Sequence, residues 1–213
     1  MRLNGGVWKA GSLLCALLLV LLADPAAAWD PRSLLAPCHG DCGASIYGGW
    51  YVENSMGQVL VTAPEAPLTW NYQGDDHIIA TAISRRTGRL WKFDVEPEIG
   101  IAQRYGRQSA TELWGAFFFR YHFPWKAPLL MSVAFSTGIN WANQITDVEQ
   151  DRANDDKGSQ VMHFFAPEFT FALPSRPNVE LLLRFHHRSG VFGLVSDAFG
   201  GAQYGTVGVR VRF

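Results

Sequence analysis

The sequence predicts an all-β fold, an eight-stranded antiparallel transmembrane β-barrel, on three observations. Segment after segment alternates residue by residue between an apolar and a polar face, which is the period of a strand and not of a helix. The polar faces are charged or small, as a narrow packed lumen requires, and the apolar faces then point to lipid. The N-terminus reads as an export signal, and no later segment has the run of roughly twenty apolar residues that a membrane helix needs.

The export signal comes first in chain order. Arg2 and Lys9 make a basic start, Ser12 to Leu22 is the apolar run, and Ala26-Ala27-Ala28 offers a small-residue cleavage site. Residues 1–28 are therefore expected to be a signal peptide and residues 29–213 an outer-membrane β-barrel domain. A formal net charge of −1 gives no basic footprint for nucleic acid.

Cys38 and Cys42 are the only cysteines after the signal, in C-H-G-D-C. In an oxidising compartment that spacing reads as a local disulfide. A metal site with His39 and Asp41 is the sharper alternative, and it lacks a second ligand cluster. No metal or cofactor is implied anywhere in the chain.

Strands are expected at residues 47–62, 77–86, 90–105, 109–123, 128–143, 160–174, 177–190 and 202–213, an even number that permits closure. Leu90 to Tyr105 alternates most clearly. Trp91, Phe93, Val95, Ile99 and Ile101 share one face; Lys92, Asp94, Glu96, Glu98 and Arg104 share the other. A slip of one residue would put these charges on lipid, where Lys alone costs roughly 2–4 kcal/mol at the midplane. Glu96 and Glu98 read as lumen carboxylates held by arginines rather than as a general acid/base pair, which would need to flank a sugar cleft. Gln144 to Ser159, rich in Asp and Glu, reads as a solvated loop whose spacing matches no calcium loop. In the last strand Val207, Val209, Val211 and Phe213 face out, while Thr206, Gly208, Arg210 and Arg212 face in. The terminal Phe213 resembles the signal by which outer-membrane barrels are recognised for insertion.

The stretch Pro177 to Gly190, P-N-V-E-L-L-L-R-F-H-H-R-S-G, carries the chemistry. Val179, Leu181, Leu183, Phe185, His187 and Ser189 share the outward face; Glu180, Leu182, Arg184, His186 and Arg188 share the inward one. A His and a Ser two residues apart on a strand lie on one side, Cβ atoms roughly 7 Å apart. A serine hydroxyl needs such a base to become a nucleophile.

The final third of the chain, through R-F-H-H-R-S-G-V-F-G, resembles the lipid A 3-O-deacylase (PagL-like) family, also called acyloxyacyl hydrolase-like proteins. That family consists of eight-stranded outer-membrane barrels with an H-x-S motif near the end of a late strand. The resemblance implies lipid A deacylation, a carboxylic ester hydrolysis in lipopolysaccharide. His187 would be the base and Ser189 the nucleophile, on the lipid-facing wall. It also implies the outer membrane of a Gram-negative bacterium as location and lipid A as partner. Two positions depart from the family. The Asn that follows the family's Ser is Gly190 here, and a backbone N–H would have to replace it at the oxyanion. The family's Glu near the start of the last strand falls about at Gln203, which cannot act as an acid. Asp197 is the nearest carboxylate and the candidate third member. The other expectation is a non-catalytic small outer-membrane barrel with a structural or adhesion role. What separates the two is whether His187 and Ser189 meet on the outer wall.

Overall fold

A computed structural model of the chain describes residues 34–59, 66–125, 128–151, 158–191, 194–196, 198 and 200–213. The expected signal peptide, the acidic residues Asp155 and Asp156, and Asp197 lie outside them. Among the described residues there are ten strands: β1 (Cys42–Val52), β2 (Tyr72–Arg85), β3 (Gly88–Leu90), β4 (Phe93–Tyr105) and β5 (Ala110–His122), then β6 (Leu130–Ala142), β7 (Val161–Phe165), β8 (Glu168–Leu173), β9 (Arg176–Ser189) and β10 (Gly201–Arg212). One short helix, α1 (Asp147–Asp151), lies between β6 and β7.

All pairings are antiparallel, and they form a ring. β1 pairs with β2, β2 with β4, β4 with β5 and β5 with β6; β9 pairs with β10, which returns to β1. The gap between β6 and β9 is filled by β7 and β8 end to end, each bonded to both neighbours. The ring thus has the eight places expected, but ten strands. β3 is an added hairpin strand that pairs only with β4. The place expected at residues 160–174 splits at Ala166-Pro167, because proline has no N–H to give a ladder. Ser136 Oγ accepts the Ala166 N–H at 2.8 Å instead, and the Pro167 carbonyl accepts the Phe185 N–H at 2.9 Å.

The first strand departs most from expectation. It begins at Cys42 rather than Tyr47 and ends at Val52, after which residues 56–59 wind into a helical turn. The reason is local: the Ser55 hydroxyl accepts the Gln58 N–H at 3.2 Å, and the Gln58 amide oxygen accepts the Ser55 N–H at 2.8 Å. That reciprocal S-x-x-Q arrangement is a capping box, a helix start.

Alternation sorts the side chains as expected. Outward-facing Ile46, Ile79, Ile83, Ile99, Ile101, Leu181, Leu183, Val207 and Val209 are exposed, while Glu96, Glu98, Glu168 and Arg184 are buried inside. The inside is ionic and cross-braced. Arg184 of β9 reaches Glu98 of β4 at 2.8 Å, a contact across the ring rather than along it. Arg120, Arg184, Arg210 and Arg212 form one connected set with Glu96, Glu98, Glu168 and Glu180. A second set joins Arg104 and Arg188 to Glu112 and Glu149. Each set matches cations with carboxylates, which is what permits burial of so much charge. Glu149 belongs to α1, so the acidic segment is not wholly solvated as expected. This carboxylate is fully buried, 3.1 Å from Arg104 Nη1.

Two ends differ. Short connections, the start of β1 and the C-terminal Phe213 share one end, where Cys42 and Phe213 exchange backbone hydrogen bonds. There Cys38 and Cys42 form a disulfide, and Arg85 clamps the incoming segment through Asp41 Oδ2 at 2.7 Å and the Pro37 carbonyl at 3.0 Å. The His39 N–H donates to Asp41 and, with Arg85, holds its carboxyl below the usual range. The long connections β1–β2, β6–β7 and β9–β10 gather at the other end.

Candidate active site

β9 delivers R-F-H-H-R-S to the long-loop end, and its alternation separates the two adjacent histidines completely. His186 points inside, where its Nδ1 lies 3.1 Å from the Tyr47 hydroxyl and its Nε2 2.9 Å from Glu112. Its ring is packed edge-on against Trp114 and Phe164 at 5.2 and 4.9 Å between centroids. Arg188 also points inside and donates to the Ser159 and Gln160 carbonyls at 2.9 Å. His187 and Ser189 share the outer face, as the alternation requires.

Register brings His187 directly opposite Gln203 of β10. Its Nδ1 lies 3.1 Å from Gln203 Oε1. The Gln203 amide nitrogen donates to the carbonyls of Val52 (3.2 Å) and Asn54. Two carbonyls accept only from N–H, so they fix which end of the amide faces the histidine. Oε1 can only accept, so His187 Nδ1 carries a proton, and in the neutral ring Nε2 carries the lone pair. That is the tautomer a general base requires. The same two carbonyls explain why a glutamate would be unwelcome at position 203: it would set carboxylate oxygen against carbonyl oxygen.

The described parts of the β1–β2 connection, residues 53–59 and 66–71, lie over this wall as a strap. Val52 and Val59, with Met56 and Trp70, pack on Phe185, which was expected to face lipid and is buried under them. Phe185 does lie on the outer face. Trp70 meets its ring edge-on at 5.2 Å, and Phe185 in turn lies parallel to His187 at 6.2 Å. His187 is left 6% exposed.

Ser189 is half-buried, opposite Gly201 on one side and His163 of β7 on the other. Among the described residues no hydrogen bond joins it to His187. The next residue, Gly190, has no room for a side chain: a Cβ there would sit 1.8 Å from the Ala198 carbonyl oxygen. The returning β9–β10 connection therefore excludes the asparagine of the family pattern. Val191 follows with φ 51°, a left-handed conformation that a β-branched residue adopts only under strain. Asp197 lies outside the described residues, and Gln203 is the group bonded to Nδ1. No cluster of three His, Cys, Asp or Glu able to hold a metal occurs among the described residues.

Sequence reading missed two contributors. The strap was missed because the apolar run Val59-Leu60-Val61 reads as strand, although S-x-x-Q just before it announces a helix start. His163 was missed because neighbourhood across β7 and β9 depends on register, and the break at Pro167 hides it.

No protein-family model and no curated protein matches the chain. Among solved structures, it is similar to the crystal structure of Neisserial surface protein A (NspA). The likeness covers 84% of this chain and 100% of that one, at 14% sequence identity and a TM-score of 0.49.

Proposed function

We propose that the chain is an outer-membrane β-barrel hydrolase that removes an ester-linked acyl chain from lipid A. The observation that carries this reading is the His187–Gln203 bond on the outer wall, with the amide itself fixed by Val52 and Asn54. It fixes the imidazole by its Nδ1–H, leaving Nε2 as the basic nitrogen of the neutral ring, two residues from a serine on the face that bears the apolar belt. Three further observations support the reading. The exposed outer side chains are apolar and the inner charges are paired, as a closed barrel in lipid demands. The site lies at the long-loop end, the extracellular end in such barrels, where the outer leaflet carries lipid A. Strain at Val191 sits two residues from Ser189, where strained backbone is commonly held for function.

In this mechanism Ser189 Oγ attacks the ester carbonyl carbon while His187 Nε2 takes its proton. Collapse of the tetrahedral intermediate expels the sugar alkoxide, which takes that proton back. Water then repeats the sequence and releases the fatty acid. Gln203 maintains tautomer and orientation but brings no charge to the imidazolium, as an amide does in Cys-His-Asn sites. Mass spectrometry of lipid A from cells expressing the protein tests the proposal. Loss of one acyl chain is expected, and a Ser189→Ala variant should leave lipid A intact. Unchanged lipid A beside folded wild-type protein would overturn it.

A non-catalytic surface barrel is the second reading, favoured by the burial of His187 under the strap. In that case His187 and Gln203 merely anchor the β1–β2 connection, and the wild type leaves lipid A unchanged.

A further inference from the structure

Ser189 has two histidine neighbours on the outer wall, and the mechanism above uses one. His163 of β7 is its direct cross-strand partner. Opposed residues of an antiparallel pair hold their Cβ atoms about 4.5–5.5 Å apart, closer than the roughly 7 Å of an i, i+2 pair. His163 Nε2 lies 2.8 Å from the Thr137 hydroxyl on β6. Its Nδ1 is buried and has no hydrogen-bond partner among the described residues.

A buried polar atom without a partner is destabilising, and such atoms in native structures call for an explanation. The chemistry of the site supplies one. Attack on an ester turns the carbonyl oxygen into an oxyanion that needs a preorganised donor. The Ala198 carbonyl leaves no space for any side chain at position 190, so none there can supply that donor. The base position is already filled by His187. If the Thr137 hydroxyl donates to His163 Nε2, Nδ1 must carry the proton and the ring is a neutral N–H donor beside the nucleophile.

We propose that His163 is a catalytic residue of this site, its Nδ1–H stabilising the oxyanion formed when Ser189 attacks an acyl ester. The proposal rests on the hydrolase reading. In the step, the Oγ–C bond forms, the carbonyl π pair moves to oxygen, and the Ser189 proton goes to His187 Nε2. His163 keeps its proton throughout and donates only a hydrogen bond. Thr137 is a positioning residue that sets the tautomer.

The test uses the full chain, purified in detergent micelles, with p-nitrophenyl palmitate for turnover and an alkyl fluorophosphonate for labelling of Ser189. Heat-modifiable electrophoretic mobility reports folding. Asparagine carries its amide nitrogen where histidine has Nδ1, and glutamine where it has Nε2. His163→Gln and His163→Phe should therefore lower kcat roughly 10²- to 10³-fold with little change in KM, whereas His163→Asn should restore most of it. Gln and Phe variants that turn over like wild type, or an Asn variant as slow as Phe, would overturn the proposal. Where a His163 variant does not fold, Thr137→Val gives the second reading: kcat should fall about 10-fold as the tautomer is released, and an unchanged kcat overturns the assignment. A folded wild type that reacts with neither probe would instead sink the hydrolase reading itself. A flat His163 series beside a reactive wild type and an inert Ser189→Ala would sink only the oxyanion role.

Discussion

On the proposed hydrolase reading, truncating Ser189 or His187 to alanine should lower deacylation by roughly 10⁴-fold or more, since a cooperating nucleophile–base pair fails as a unit. Both variants should still fold, because each makes an outward site more apolar. His186→Ala should behave in the opposite way. It should keep the chemistry yet leave Glu112 and the Tyr47 hydroxyl short of a buried partner, at about 1–3 kcal/mol for each group, seen as a lower urea midpoint. Gln203→Met keeps chain length and removes both the histidine contact and the strap contact. A fall in turnover on the order of 10²- to 10⁴-fold is expected, measured by release of fatty acid. At this scale the faces of His186, His187, Arg188 and Ser189 were legible, because a strand of period two leaves no freedom once one face is apolar. Gln203 was visible as an outward residue of its strand. It also falls where the resemblance puts the third member, and Asp197 was preferred there because an amide cannot act as an acid. The direct register of Gln203 with His187 depends on the geometry of a long connection.

The strap is the element that covers the outer face beside His187, through Phe185. Trp70 seals it against Phe185, so Trp70→Ala should loosen the cover without touching the ring. A loss of about 1.4 kcal/mol in closure would raise the reaction rate of His187 with diethylpyrocarbonate ~10-fold, while ring stability stays near wild type. A rate that does not change would mean the strap opens by another route. The other element with a local signature is the divided place of β7 and β8. Pro167 stood in plain view in the sequence, yet the alternation of Phe165, Phe169 and Phe171 runs straight across it. Alternation records which face a residue takes and is blind to one missing ladder bond. The capping box at Ser55 and Gln58 is the reverse case, a readable local signal masked by a β-branched run after it.

For the molecule as a whole, the ionic interior was legible in kind but not in connectivity. Charges on inward faces had to find partners, and which carboxylate meets which arginine depends on stagger around the ring. Arg184 lies at the centre of that web, touching Glu98, Glu168 and the Tyr47 hydroxyl. Arg184→Ala should cost about 3–5 kcal/mol by leaving two buried carboxylates undercompensated, read as a shift in urea unfolding from lipid vesicles. The same web bears on the order in which the chain assembles. Glu96 of β4 meets Arg120 next door, but its other counter-charge, Arg212, and those of Glu98, Arg184 and Arg210, come from β9 and β10. In the proposed membrane barrel, hairpins added one at a time would leave Glu98 without Arg184 until β9 docks and Glu96 without Arg212 until β10 docks. Intermediates along such a route would be penalised, so closure of the β1–β10 seam is the expected committing step. A nascent chain halted before β10 should accumulate as an uninserted precursor.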